Sequence, residues 1–307
     1  LVTEVDMRVS VVILPIYDRA STSRIWRLVE DMGFDAAFTY DHLAWRTFQG
    51  STWFGAVPTL SAAAVATERI RLGTLVSSAD FRHPVPFAAD LMSLDHLSGG
   101  RLTVGVGAGV DGYDSVVLGR PPITAAQRSE RFAEFVSLLS RLLSGEQVDH
   151  DGVWYRARMA ELAPGCVQQP RAPLTVAATG PKGMRVVAEH AQTWVTYGRP
   201  RSAGGAPADG SPAAVAEQVT RLIDACGAAG RDPATLERAY LAATPAQALA
   251  STSAYVDMAG RYAELGMTEF IVHYPVPGTV LDADIAVFER LADDALDTVR
   301  RMKPAAL

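Results

Sequence analysis

An imidazole titrates near neutral pH, and a carboxylate beside it can fix which nitrogen holds the proton, so an aspartate next to a histidine is a natural starting point for acid–base chemistry. Two such pairs occur, Asp41-His42 and Asp95-His96. The second runs into Leu97-Ser98-Gly99-Gly100, a helix-ending pattern in which a histidine complements the helix dipole, so it reads as structural. Asp41-His42 follows Tyr40 at the end of an apolar run and is the expected catalytic pair, with Asp41 orienting His42. Trp45, Phe48, Trp53 and Phe54 come next; such aromatics either pack beneath their own loop or wall a pocket for a planar ligand. In Phe81-Arg82-His83-Pro84 the arginine can bind an anion or pair with Asp80 or Asp90.

Two small-residue segments suit a cofactor. Gly107-Ala108-Gly109-Val110-Asp111-Gly112 fits GxGxxG in form, but a dinucleotide fingerprint needs a helix opening on those glycines. Here Tyr113–Gly119 and Pro121-Pro122 intervene and no helix is expected before about Ala125, so the glycines are read instead as letting backbone approach a flat ligand. Ala177-Ala178-Thr179-Gly180-Pro181 precedes a helical pattern and is either an anion site at the helix N-terminus or an ordinary tight turn.

These clusters share a position: each follows a short apolar run. Val9–Leu14, Phe34–Tyr40, Ile70–Ser77, Leu102–Gly107, Leu174–Ala178, Thr193–Tyr197, Leu236–Ala242 and Glu269–His273 read as strands. Between them lie helical patterns, with Ser21 or Ser23 capping the first, then Pro58–Thr67, Pro84–His96, Arg128–Leu143, Gly183–His190, Pro212–Ala229, Ser251–Leu265 and Asp284–Met302. Eight alternating strand–helix units without a linker predict one (β/α)8 TIM barrel over residues 1–307, with its active site in the loops after the strands. Gly145–Gly165 lacks periodicity and is expected as an insertion over the barrel mouth; Arg199–Pro212, rich in Gly, Pro, Ala and Ser, is expected as a mobile loop.

Bulk properties narrow the class. The net charge of -6 argues against general binding to nucleic acid or anionic membranes. The two cysteines, Cys166 and Cys226, form neither a CxxC pair nor a zinc pattern. No apolar run is long enough for a membrane span, and Leu1–Asp6 lacks the basic stretch of a secretory leader, so a cytoplasmic protein beginning naturally at Met7 is expected. The six histidines do not form the ligand set of a metal-dependent barrel hydrolase.

Taken together, Tyr40-Asp41-His42-Leu43, Ile70–Val76, Phe81–Pro84, Asp95–Arg101, Gly105–Gly109 and Ala177–Pro181 resemble the bacterial luciferase-like superfamily of flavin and deazaflavin oxidoreductases, almost end to end. Asp41-His42 with Trp45 is similar to the branch using coenzyme F420, an 8-hydroxy-5-deazaflavin. The resemblance implies a cofactor held by Asp41, Leu75, Val76, Ser77, Gly107, Ala108, Gly109, Tyr113, Ala177, Ala178, Thr179, Gly180 and Pro181, with a cis Leu75–Val76 peptide behind the ring. It implies a substrate pocket of Tyr17, Trp45, Trp53, Tyr197 and Tyr274, with His42, or else Tyr17, Tyr113 or Tyr274, as proton donor. Two departures matter. Sugar-phosphate dehydrogenases of the branch carry a catalytic glutamate where this chain has Val110, and Tyr40 stands where a serine is usual.

The expected activity is therefore F420-dependent reduction of a C=C or C=N bond in a small organic molecule, in a homodimer supplied with electrons by a flavin or F420 reductase. An FMN-dependent monooxygenase on the same scaffold is the alternative, and a non-catalytic flavin-binding barrel the second.

Overall fold

The structure is a computed structural model that describes residues 6–110, 112–199 and 209–307 and, of Arg46, only the backbone. Asp111 and most of the Arg199–Pro212 segment lie outside the described residues, so the expectation for that loop lies there too.

From the start of the described chain, β1 (Arg8–Val12), α1 (Arg19–Asp31), β2 (Ala36–Asp41), α2 (Ala56–Ala66), β3 (Arg71–Ser78), α3 (Pro84–Leu97) and β4 (Leu102–Gly107) alternate as expected. Then come α4 (Tyr113–Val117), α5 (Ala125–Leu143), β5 (Val148–Asp151), β6 (Arg156–Ala160), β7 (Leu174–Ala177), α6 (Pro181–His190), β8 (Thr193–Thr196) and α7 (Pro212–Ala228). The chain finishes with β9 (Glu237–Leu241), α8 (Pro245–Ala248), α9 (Thr252–Ala263), β10 (Glu269–His273), α10 (Ile285–Asp294) and α11 (Leu296–Arg300). The parallel strands close in the order β1-β10-β9-β8-β7-β4-β3-β2, which is the (β/α)8 barrel.

β-branched runs buried on both faces explain the closure: outward residues such as Val9, Val11, Leu72, Val104 and Val176 join the helices, while Val12, Leu14, Phe38, Leu75, Val195 and Ile271 form a second cluster with residues of the rim loops. At the opposite end, Arg8 binds both Glu237 and Glu269, and Ser10 donates to Glu269 at 2.6 Å.

Several local expectations are corrected. Helix α1 is capped by Asp18, whose carboxylate accepts from the Ser21 backbone at 2.7 Å, not by Ser21 or Ser23; Asp18 reaches a free N–H three residues on. A five-residue helix, α4, occupies the stretch expected to be irregular. The final helix is broken at Ala295, where φ -137° and ψ -41° leave the helical region. The segment 145–165, expected as an insertion without periodicity, carries an antiparallel hairpin, β5–β6, that packs along α5. Its tip is fixed by Glu134 of α5, which accepts from the backbone of Trp154 and Tyr155, and Tyr155 reaches the Ala79 carbonyl beside β3 at 3.2 Å. The chain then runs to the far end, where Gln168 bonds Asp95 and the Leu102 carbonyl.

Candidate active site

At the C-terminal end of β2 two neighbouring side chains point to different partners. Asp41 is buried and forms a two-pronged ion pair with Arg82 from the β3–α3 loop, Nε–Oδ2 3.0 Å and Nη2–Oδ1 2.7 Å. Arg82 thus spends its planar fork on Asp41; Asp90, one of the two partners expected, is 3.9 Å away. Asp41 therefore does not orient His42, which corrects that expectation.

His42 is half-buried, and its Nδ1 lies 2.6 Å from Oδ2 of Asp114, on α4. The other carboxylate oxygen of Asp114 accepts from the Leu43 backbone at 2.8 Å, and Trp53 Nε1 donates to the His42 carbonyl at 2.7 Å. Trp53, expected as pocket wall, is thus also an anchor for the loop. Beside it, Tyr40 Oη meets Nε2 of His273 at 2.7 Å, joining the ends of β2 and β10 inside the barrel. The Tyr40 ring packs edge-on against Trp45 at 5.0 Å between centroids.

The strand behind these groups is irregular. Register shifts between Gly73 and Ser77 in the β3–β4 pairing, and the Leu75–Val76 peptide is cis, at the bond the resemblance implies. Leu75 is buried and Val76 partly buried, and the Ser77 hydroxyl is buried without a hydrogen-bond partner among the described residues.

Gly107 at the end of β4 and Gly109 just beyond it are also demanded by packing. A Cβ on Gly107 would lie 2.7 Å from Cγ2 of Val76, and one on Gly109, at φ +76°, would overlap the Asp80 carboxylate. The groups that approach these glycines are the protein's own side chains, so here the residue type is dictated by packing between β3 and β4. Ala108 packs at the edge of the outer core.

Ala177, Ala178 and Thr179 lead into Gly180, the N-cap of α6, which supplies no side-chain cap, and Pro181 takes the first turn. Nothing lies within 4 Å of the position a Gly180 Cβ would take, whereas one on Gly183 would press on Ala178 at 2.9 Å. The helix start is therefore open and closely seated on β7, with uncapped N–H groups available to an anion.

The expected pocket residues divide. Trp45, Trp53 and Tyr197 pack against the inner cluster around Tyr40, whereas Tyr17 and Tyr274 meet edge-on at 6.2 Å and pack against the outer core. Burial, reinforced by Tyr274, pushes the Tyr17 phenol up to about 12. Tyr113 is exposed at the start of α4. Sequence reasoning missed Asp114 and His273 as site partners, and for Arg82 it named the more distant partner, Asp90, but not Asp41. Asp114 is 72 residues from His42 and no local spacing links them. Among the described residues no group of three or more His, Cys, Asp or Glu is placed to hold a metal ion.

Known proteins agree with this architecture. The chain is 40% identical over 163 residues to an F420-dependent glucose-6-phosphate dehydrogenase of Beutenbergia cavernae, covering 52% of this chain and 47% of that protein. It is 33% identical over 221 residues to 4-hydroxyprotoasukamycin monooxygenase of Streptomyces nodosus subsp. asukaensis, covering 70% and 56%. The chain thus spans about half the length of these curated relatives. In fold it resembles the coenzyme F420-dependent tetrahydromethanopterin reductase of Methanopyrus kandleri, with a TM-score of 0.75, 17% identity, and coverage of 95% of this chain and 99% of that one. An F420-dependent secondary alcohol dehydrogenase in complex with an F420-acetone adduct gives a TM-score of 0.78 at 17% identity, covering 96% and 99%. The profile of luciferase-like monooxygenases matches residues 15–275, from just after β1 to just past β10, and the chain belongs to that family.

Proposed function

We propose that this protein is an F420-dependent oxidoreductase, a reductase that delivers hydride to a C=C or C=N bond of a small organic substrate, with His42 supplying the proton. The observation that carries the reading is the held imidazole: His42 has Nδ1 on a carboxylate and its carbonyl on Trp53, while no described residue bonds its Nε2. A substrate that gains a hydride must also gain a proton, and a fixed imidazole with one nitrogen unbonded among the described residues suits that task.

The residues present fit the cofactor. The unpartnered, buried Ser77 hydroxyl suits a polar edge of a planar ring, and the open N-terminus of α6 suits a phosphate. When bound, F420 supplies hydride from C5 of its deazaflavin ring. Val76 and Leu75 would back the ring, Asp41 paired with Arg82 would fix the end of β2, and Trp45 and Tyr40 would close the apolar side and limit water. Val110, where sugar-phosphate dehydrogenases of the branch carry glutamate, is 67% exposed, which supports a substrate other than a sugar phosphate.

FMN-dependent oxygenation is the second reading, favoured by the 33% identity to 4-hydroxyprotoasukamycin monooxygenase. The test is titration with F420 and FMN, each oxidised and reduced, followed by fluorescence and calorimetry. Micromolar binding of F420 without FMN binding is expected; tight FMN binding without F420 binding overturns the assignment, and binding of neither overturns both cofactor readings. We also propose a homodimer, checked by sedimentation velocity, and a separate reductase as electron source. No helix among the described residues is long and apolar enough to cross a membrane, and a cytoplasmic location is proposed with the function.

A further inference from the structure

We infer that Asp114 is the residue that sets the tautomer of His42 and thereby makes Nε2 its proton-exchanging atom. For its catalytic consequence the inference rests on the function proposed above; the tautomer assignment itself does not.

An ionised carboxylate only accepts hydrogen bonds. Asp114 Oδ1 accepts from the Leu43 N–H at 2.8 Å, and Oδ2 lies 2.6 Å from His42 Nδ1. Nδ1 must then carry its hydrogen whether the ring is neutral or protonated, and the exchangeable position is Nε2. Asp41, the sequence neighbour, has both oxygens on Arg82 and makes no claim on the imidazole. Trp53 holds the His42 carbonyl and Asp114 the next backbone N–H, so the chain on either side of the imidazole is fixed as well.

In the reductive direction, reduced F420, when bound, would supply the hydride for the new C–H bond as the substrate π bond breaks. The electron pair of that π bond moves to the neighbouring atom, which takes the proton from Nε2. The N–H electron pair stays on the ring, and the Nδ1–H···Asp114 bond is kept throughout.

The conservative variant makes a sharp contrast. In Asp114→Asn the Leu43 N–H can only donate, so it selects the carboxamide oxygen, and the NH2 group faces Nδ1. Nδ1 must then accept and the ring hydrogen moves to Nε2. Protonating that ring would set two donors face to face, so the acid form is disfavoured.

The experiment uses the full chain without cofactor, labelled with 15N-histidine, and reads the tautomer from long-range 1H–15N correlations at a pH where the ring is neutral. The wild type is expected to show His42 hydrogen on Nδ1, Asp114→Asn on Nε2, and Asp41→Asn still on Nδ1. Hydrogen on Nε2 in the wild type overturns the inference, and this reading needs no variant to fold. An unchanged tautomer in a folded Asp114→Asn protein, checked by near-UV circular dichroism, overturns it too. With reduced F420 and a turned-over substrate, Asp114→Asn is expected to lose about 100-fold in kcat with KM within about threefold, and Asp114→Glu to recover most of the loss. A loss confined to KM argues for mere substrate binding and overturns the positioning role. A switched tautomer in a protein that binds no F420 leaves Asp114 in its role and removes the proposed cofactor instead.

Discussion

Asp41 and His42 are adjacent in the chain, yet one is a buried carboxylate paired from the β3–α3 loop and the other an imidazole held from α4. That separation makes their substitutions distinguishable. Arg82→Ala leaves the Asp41 carboxylate buried and unpaired, and a loss of about 3 kcal/mol is expected in urea unfolding; a change under about 0.5 kcal/mol would mean that the pair is readily replaced by water. At β4, Gly107→Ala pushes a methyl into Val76. It is expected to destabilise by about 1–3 kcal/mol, and Val76→Ala in the same chain to recover part of that, a coupling read from a double-mutant cycle. Independent, additive effects would show that the Gly107–Val76 approach does not set the residue type.

At the scale of elements, the strands that carry the site are pinned by helices behind them. Glu30 of α1 accepts from the backbone of Arg69 at 2.6 Å and Ile70 at 2.9 Å, just ahead of β3. Burial pushes its carboxyl up, but the backbone donors outweigh burial and hold it below the ordinary carboxylate value. A lowered folded value means that this stability is fully present above the unfolded value and lost as pH falls through the folded one. Glu30→Gln is therefore expected to lower the urea midpoint at neutral pH and to flatten the acid limb of the stability profile; an unchanged acid limb would assign that limb to other groups. At α6, Gly180 has ordinary extended dihedrals, φ -103° and ψ 165°, and open space at its Cβ. Gly180→Asp is expected to raise stability by a few tenths of a kcal/mol, up to about 1, by capping the helix. The same carboxylate is expected to weaken F420 binding by tenfold or more, measured by fluorescence titration, because it takes the place and sign of a phosphate. A stabilised variant with unchanged affinity would place the phosphate elsewhere.

For the whole molecule, buried phenols dictate the alkaline limit. Tyr17 is pushed up to about 12, and burial also raises Tyr155, Tyr240, Tyr255, Tyr262 and Tyr274. In the unfolded chain these groups ionise near about pH 10. Folded values above unfolded ones mean stability is fully present below about pH 10 and is lost as pH rises through the folded values. Urea midpoints are expected to hold up to about that pH and then fall, with tyrosinate absorbance appearing together with unfolding; tyrosinate formed in the folded protein well below that point would contradict the burial argument.

What the chain by itself determined follows from period and residue type. Val9–Leu14 is a β-branched run and Ile70–Ser77 a short, largely apolar one; both read as buried strands between helical stripes, so the eight-unit barrel was legible. Because every chemical cluster followed such a run, their gathering at the C-terminal ends of the strands was legible too. Tertiary structure alone decided which side chains meet there. Asp41 and Arg82 lie 41 residues apart, His42 and Asp114 72, and Tyr40 and His273 233. Barrel closure and a five-residue helix bring these groups together, and no local pattern records the distance between residues on different strands. The glycines show the same division: their presence at and just after the end of β4 was plain in the sequence, but that Val76 and Asp80 of the neighbouring β3 unit require them depends on the register between two strands, which only the folded sheet fixes.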